Sequence, residues 1–330
     1  MQPKFRSESV PSIKVIGVGG GGCNAINQMI KEGLKCVEFI AVNTNPQALL
    51  KSNASQHICI GEKVHRGFDG GEDPLQGKIA AEYSADEVFK VVRDVDLVFI
   101  VSTMGGGVGT GAAPVIARIA KQTGALTIGV VTQPFTFEGT RRMQKAVEGI
   151  NNLMKHVDTL IVFNNDQIKE VDKCAPLFEA FKTIDHKLFQ GIKSISDLLS
   201  VPNLICFTFD DLRSIMSEGK LAQITSGKAS GEDRARLAIE NAILPCQMEF
   251  PMSKAESILV NFTCSPDLAL IEVKLAIDLI LESARPNVSI LFGALIDPER
   301  VDEFQVTVFT NGFENLNVRG VTRKTFDLDI

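Results

Sequence analysis

Hydrophobic periodicity separates two kinds of segment along the chain. Short, nearly continuous apolar runs occur at 12–19 (SIKVIGVG), 36–44 (CVEFIAVNT), 95–104 (VDLVFIVSTM), 125–135 (ALTIGVVTQPF) and 157–166 (VDTLIVFNND). Each has the length and β-branched content of a buried strand. Helical patterns lie between them, and this alternation predicts an α/β fold built on a doubly wound parallel sheet. Then the pattern changes. From Leu177 to Leu199, apolar residues fall at 177, 181, 184, 188, 192, 195 and 199, always three or four apart, which predicts one long helix. More helix follows, and then three strand-like runs, ESILVNFT, NVSILFGALI and FQVTVFTNG, which predict a smaller α+β domain. The expected organisation is a nucleotide domain over 1–175, a central helix over 176–202, an α+β domain over 203–313 and a tail over 314–330 without clear periodicity.

Composition narrows the class. The chain has 330 residues, 45% hydrophobic and 22% charged, which is ordinary for a globular protein with real cores. Its 34 basic against 40 acidic residues give a net charge of −6, which argues against nucleic acid as a partner. The seven cysteines are odd in number and scattered, with no C-x-x-C pair, so neither a disulfide framework nor a metal site is expected. No signal-like core opens the chain, and no run approaches the ~18 apolar residues of a membrane span. The expectation is a cytoplasmic protein without direct membrane insertion.

Two glycine runs carry the chemistry. The first, GVGGGGCNA, holds G-x-G-x-x-G at Gly17, Gly19 and Gly22 between a strand and a helix. Such a turn lets a phosphate approach bare backbone at a helix N-terminus. A dinucleotide site would also need an acid at the end of the second strand. Asn43 and Thr44 stand there instead, which argues against NAD or FAD. The second run, GGGVGTG at 105–111, also follows a strand and opens a helix. Two nests converging on one sheet edge suit a polyphosphate gripped from both sides. No Gly-Lys-Ser/Thr follows, so it is not a Walker loop. Close helix–strand packing would account for two of the five glycines, and phosphate contact is expected to account for the rest.

The strings VIGVGGGGCNAINQM, FIAVNTNPQAL, GGGVGTGAAPVIA, VVTQPFTFEGTRRM and SGKASGEDRA together resemble FtsZ, the tubulin-like division GTPase of bacteria and archaea, over residues 12–313. The resemblance implies a tubulin/FtsZ-like fold that binds GTP or GDP, takes Mg²⁺ with GTP, polymerises head to tail and hydrolyses GTP between subunits. Gly20, Gly21, Gly22, Cys23 and Asn24 would form the first nest, with Asn24 also reaching the base. Gly105, Gly106, Gly107, Val108, Gly109, Thr110 and Gly111 would form the second. Thr44, Gly70, Gly71 and Pro134 would line the site, Glu138 would hold the ribose, and Arg142 would lie over the nucleotide. Asn165 and Asp185 would read the guanine edge while Phe181 stacks on its face. Without the resemblance, Phe181 reads as a core residue of the long helix, and Glu138 with Arg142 as a surface i,i+4 pair.

Three departures from the family pattern stand out. Val108 replaces a threonine. The loop GFDGGEDP at 67–74 carries Asp69, Glu72 and Asp73 where the family has GLGAGANP. The hydrolytic loop, NVDFADV in the family, is CFTFDDL at 206–212: Cys206 replaces Asn, Thr208 replaces the first Asp, Asp211 keeps its place, and Asp210 is an added neighbour. Asp211, Asp210 and Thr208 are the expected catalytic set, with slowed hydrolysis; the alternative is a hydrolysis-deficient filament or regulator that co-assembles with another FtsZ. The long helix spans roughly 30 Å from Phe181 to Val201. Asp211 would therefore act on the γ-phosphate held by the next subunit. The expected partners are further copies of the chain, with a second FtsZ or division proteins beside them.

Overall fold

The computed structural model describes residues 11–61, 71–167, 176–200, 205, 208–217 and 220–313. The N-terminal part alternates β1 (Ile13–Val18), α1 (Gly19–Lys31), β2 (Glu38–Asn43), α2 (Pro46–Leu50), β3 (Gln56–Cys59), α3 (Pro74–Tyr83), α4 (Ala85–Val92), β4 (Leu97–Thr103), α5 (Gly107–Gln122), β5 (Leu126–Gln133), α6 (Thr140–Met154) and β6 (Thr159–Asn164). The long α7 (Leu177–Ser200) leads to α8 (Phe209–Met216), β7 (Lys220–Ser230), α9 (Arg234–Glu249), β8 (Ser257–Cys264), α10 (Leu270–Ser283), β9 (Ser289–Ile296) and β10 (Glu303–Phe313).

The strands form one sheet in the order β3-β2-β1-β4-β5-β6-β7-β10-β8-β9. Its first six strands are parallel, and the winding direction reverses between β1 and β4. That reversal opens a crevice at the strands' C-terminal ends, where α/β sheets bind ligands. Both glycine runs leave the sheet there. Each central strand is apolar on both faces because each face is covered. In β4, Val98 and Ile100 join the core with α5, while Leu97, Phe99 and Val101 join the core with α1 and α7.

The sequence pattern does not reveal β3 and β7. QHIC is a four-residue edge strand, too short and polar to register. KLAQITSGKAS places small and polar residues where a buried strand usually has branched ones. Gly227 shows why: a side chain there would run into the Ala238 carbonyl of α9, so close packing replaces bulk. Three residue pairs join β6 to β7, from Thr159–Lys220 to Ile161–Ala222. Beyond them β10 lies antiparallel to both β7 and β8.

The helix α7 runs 24 residues, about 36 Å. Ile184, Leu188, Ile192 and Ile195 are buried along it, as the periodicity predicts. Phe181 belongs to the same periodic set yet stays 40% exposed, so the apolar stripe outruns the core at its N-terminal end.

Candidate functional site

At the switch point two helices begin side by side. α1 starts at Gly19 (φ +75°), and α5 starts one residue after Gly106, which follows Gly105 (φ +103°). Neither helix start is capped by a side chain. The first N–H groups of a helix have no partner within it, and the dipole there favours an anion. The two starts touch, since a methyl group on Gly19 would lie 2.8 Å from the Gly109 nitrogen. Space is open above Gly20 and Gly106.

Packing accounts for more of the glycines than the sequence suggests. A side chain at Gly107 would strike the Gly71 carbonyl, and one at Gly111 would strike the Pro74 carbonyl at the head of α3. Gly109 abuts Ser102 and the Thr103 carbonyl. A side chain at Gly105, itself at φ +103°, would meet the Arg142 carbonyl, so four of the five glycines in the second run are required by close backbone contact, two more than expected, and only Gly106 faces open space.

Several side chains around these loops face inward. The Thr110 hydroxyl accepts the Gly105 N–H at 2.8 Å and closes the loop on itself. Val108 is 7% exposed and packs in the core beneath α5, which suits the methyl it carries in place of a hydroxyl. The Cys23 thiol points toward the carbonyls of Gly17 and Val42, and burial pushes it up to about 11. Cys23 therefore offers a ligand its backbone alone. Asn24 is exposed, and Thr44 is buried at the end of β2.

Gly70 and Asp69 lie outside the described residues. Beyond them, Asp73 caps α3 by accepting the Leu75 N–H at 3.0 Å. The Glu72 backbone carbonyl accepts from Lys145 Nζ at 2.7 Å, and its carboxylate lies 4.0 Å from the same ammonium. The Asp73 carboxylate is thus engaged locally, while that of Glu72 is left exposed.

The far side of the crevice is built from the loops after β5 and β6. Glu138 accepts the Phe135 N–H at 2.8 Å and pairs with Arg142 at 3.1 Å, and Pro134, just before Phe135, is buried. Asp166 accepts the Thr136 N–H at 3.0 Å and ties the two loops together. Asn165 is 3% exposed, and its Oδ1 has no hydrogen-bond partner among the described residues. Phe181 stands edge-on to Phe135 with ring centres 5.9 Å apart. One turn further, Asp185 is half-buried, and burial, followed by the charge of Glu32, pushes its carboxyl up to about 7. An exposed aromatic face beside buried oxygen acceptors suits a planar base that carries N–H donors.

The expected catalytic residues sit at the opposite end of the sheet. Thr208 and Asp211 form a capping box at the head of α8: Asp211 Oδ2 accepts the Thr208 N–H at 2.8 Å and its hydroxyl at 2.7 Å, and Thr208 Oγ1 accepts the Asp211 N–H at 3.2 Å. These bonds hold the Asp211 carboxyl below the usual range. Asp210 is exposed beside them, and Cys206 lies outside the described residues. Arg213 donates to the Gly124 carbonyl at 3.3 Å, which fixes α8 beside the start of β5. The glycine loops leave the other end of β1 and β4. Strands of seven and eight residues separate the two ends by about 25 Å.

Residues 12–173 match the family model described as Tubulin/FtsZ family, GTPase domain, and residues 220–314 match FtsZ family, C-terminal domain. FtsZ from M. jannaschii, solved as an empty dimer, is 35% identical across 94% of this chain and 93% of its own, with a TM-score of 0.86. The chain belongs to the Tubulin/FtsZ family. Two more distant Tubulin/FtsZ folds come from Haloferax volcanii. CetZ2, in a GTPγS-bound protofilament, is 18% identical over 93% of this chain and 94% of its own, with a TM-score of 0.78. CetZ1, a GDP-bound monomer, is 21% identical over 93% and 96%, with a TM-score of 0.79. Tubulin/FtsZ proteins are GTPases as a family, and residues 12–173 carry that domain here.

Contacts join Gly19 to Gly109, Gly105 to Pro134 and Arg142, Arg142 to Glu138, and Phe135 to Phe181, whereas Thr208, Asp210 and Asp211 lie apart from them at the other end of the sheet. Sequence reading passes over Glu32 and His186. Glu32 ends α1 and faces His186 at 2.7 Å across 154 positions, and no local spacing signals that meeting.

Proposed function

We propose that the chain binds GTP in this crevice, assembles head to tail into filaments, and hydrolyses GTP slowly at the contact between subunits, in a division-type role. The observation that carries this reading is the pair of uncapped, glycine-led helix starts at one edge of the sheet, with the acidic head of α8 about 25 Å away at the other. A single subunit cannot bring the two together, whereas head-to-tail stacking can. The contact joins unlike faces, so it propagates rather than closing. The backbone N–H groups of Gly20–Gly22 and Gly106–Val108 would hold phosphates, and Asp185 with Asn165 would accept guanine N–H groups. Asp73 is taken up by the α3 cap, and the Glu72 carboxylate stays exposed 4.0 Å from Lys145 Nζ. Mg²⁺ would be held chiefly by phosphates and water, as that ion prefers. The two family matches leave α7 between them, which supports a division into a nucleotide domain, a central helix and an α+β domain.

The capping box supports a second reading. With Asp211 turned toward Thr208, Asp210 is the exposed carboxylate of the pair, and a filament without turnover that co-assembles with another FtsZ is the alternative. Phosphate release per subunit, measured above the assembly concentration, separates the two. Turnover that appears only when the protein sediments with GTP and Mg²⁺, and vanishes in EDTA, supports hydrolysis at the interface. Filaments without phosphate release would replace that reading with the second, and filaments from nucleotide-free protein in EDTA would contradict both.

A further inference from the structure

The segment Gly71–Pro74, between β3 and α3, borders the crevice at the head of α5. In the sheet order β3 lies on one side of the β1–β4 switch point, whereas Asn165, Phe181 and Asp185 follow β6 on the other side. A nucleotide with its base among those three residues and its phosphates across the two helix starts would point its terminal phosphate at this segment. Contacts on three sides fix the segment. The Gly71 carbonyl lies against Gly107 in the first turn of α5, where a side chain would strike it. Asp73 accepts the Leu75 N–H at 3.0 Å and caps α3, which packs on α5 through Gly77 and Gly111. Between these two, Lys145 of α6 donates to the Glu72 backbone carbonyl at 2.7 Å, across 73 positions of sequence. The Glu72 carboxylate is exposed and lies further off, 4.0 Å from the same ammonium. Gly71 itself stands at φ +60° with open space where a side chain would be, so the chain has freedom to swing there.

We propose that Lys145 is a positioning residue that draws the Glu72 carbonyl toward α6 and thereby sets the preference of the crevice for a nucleoside triphosphate over a diphosphate. The proposal rests on reading the crevice as the GTP site. A carbonyl oxygen is an acceptor only, and so is a phosphate oxygen without its proton. A carbonyl turned into the crevice would therefore repel the terminal phosphate, and one turned toward Lys145 does not. The ammonium is well suited to this task, because a bond from a charged donor is stronger than one between neutral groups. A diphosphate ends short of the segment, so only the triphosphate should sense where it lies.

Competition of GTPγS and of GDP against fluorescently labelled GDP tests this, with Mg²⁺ and the nucleotide-stripped full chain held below its assembly concentration. Losing a hydrogen bond from a charged donor costs on the order of tenfold in an equilibrium, so Lys145→Met should weaken GTPγS by about that factor and leave GDP unchanged. Lys145→Arg keeps a cationic donor and should retain the preference. Arg141→Met removes an exposed charge from the same helix, and the preference should survive it, which separates positioning from bulk charge. Because the bond runs to the backbone, Glu72→Gln should leave it in place, and Lys145→Met should cost as much in that background as in the wild type. A GTPγS/GDP ratio that Lys145→Met leaves unchanged overturns the proposal while the GTP reading stands, and so does an equal loss for both nucleotides. An effect that disappears in the Glu72→Gln background, or that Arg141→Met reproduces, also overturns it. A wild-type chain that binds neither nucleotide removes the GTP reading itself, and this inference with it.

Discussion

A carboxylate can stabilise a helix, hold a proton or polarise water, and the neighbours of each acid decide which. Asp211 accepts two bonds from Thr208. Thr208 is the N-cap and Asp211 the third helical residue, so the pair closes one capping box at the head of α8. Asp211→Ala should therefore lower the melting temperature, whereas Asp210→Ala should leave it unchanged and reduce phosphate release. If Asp210→Ala leaves turnover intact, Asp210 is not the acting acid. Thr208→Asp with Cys206→Asn restores the family pattern and keeps a good capping residue at 208. It should raise turnover, by up to ~10²-fold if it supplies a well-placed acid–base group. Asp185 links charge to stability instead. Its carboxyl rises from 3.8 to about 7 on folding. Between those values the folded chain keeps a proton that the unfolded chain releases, so stability falls as pH rises through that window. Nucleotide-free protein should melt higher at pH 6 than at pH 8, and Asp185→Asn should shrink the difference. An identical difference in the variant would assign it to other groups.

Among the elements, those whose partners are apolar and regularly spaced were legible in the sequence. β1, β2, β4, β5, β6 and the buried stripe of α7 follow from pattern because both faces of each strand are covered. β3 and β7 do not, since one is a short edge and the other packs through Gly227 and small residues rather than bulk. The glycine runs were legible as two helix starts at one sheet edge, but the share of them devoted to packing was not, because α3 crosses α5 through residues more than thirty positions away. That division can be measured. Gly111→Ala drives a methyl group into the Pro74 carbonyl, which belongs to backbone and cannot swing aside. It should destabilise the protein by about 1–3 kcal/mol, the usual range for overpacking. Gly106→Ala adds its methyl to open space at an ordinary extended φ of −88°. It should leave the fold almost intact while weakening nucleotide binding. If Gly106→Ala instead unfolds the chain and keeps its nucleotide affinity, the open space above α5 is not the phosphate site. The carboxylates at 208–211 were legible as candidates by resemblance, whereas their capping geometry depends on hydrogen bonds that spacing alone does not reveal.

At the scale of the whole molecule, the crevice and the head of α8 sit at opposite ends of the parallel sheet, so the proposed head-to-tail contact would take one end from each of two subunits. That arrangement makes a prediction about mixtures. Gly106→Asp sets a carboxylate in the open space where phosphates would bind, so this subunit has a dead crevice and an intact α8. Asp210→Trp, at an exposed position, blocks the other end and leaves the crevice whole. Neither variant should assemble alone, because every like contact contains one damaged face. Mixed, they retain one undamaged combination: the crevice of the Asp210→Trp subunit against the α8 of the Gly106→Asp subunit. The mixture should form dimers with GTP and go no further, since each dimer then exposes only damaged ends. Sedimentation velocity would show a dimer peak that reaches its maximum near equal proportions, and any phosphate release would come from the one loaded crevice per pair. A two-fold contact between like faces predicts something different. One variant would dimerise by itself, and mixing would add nothing.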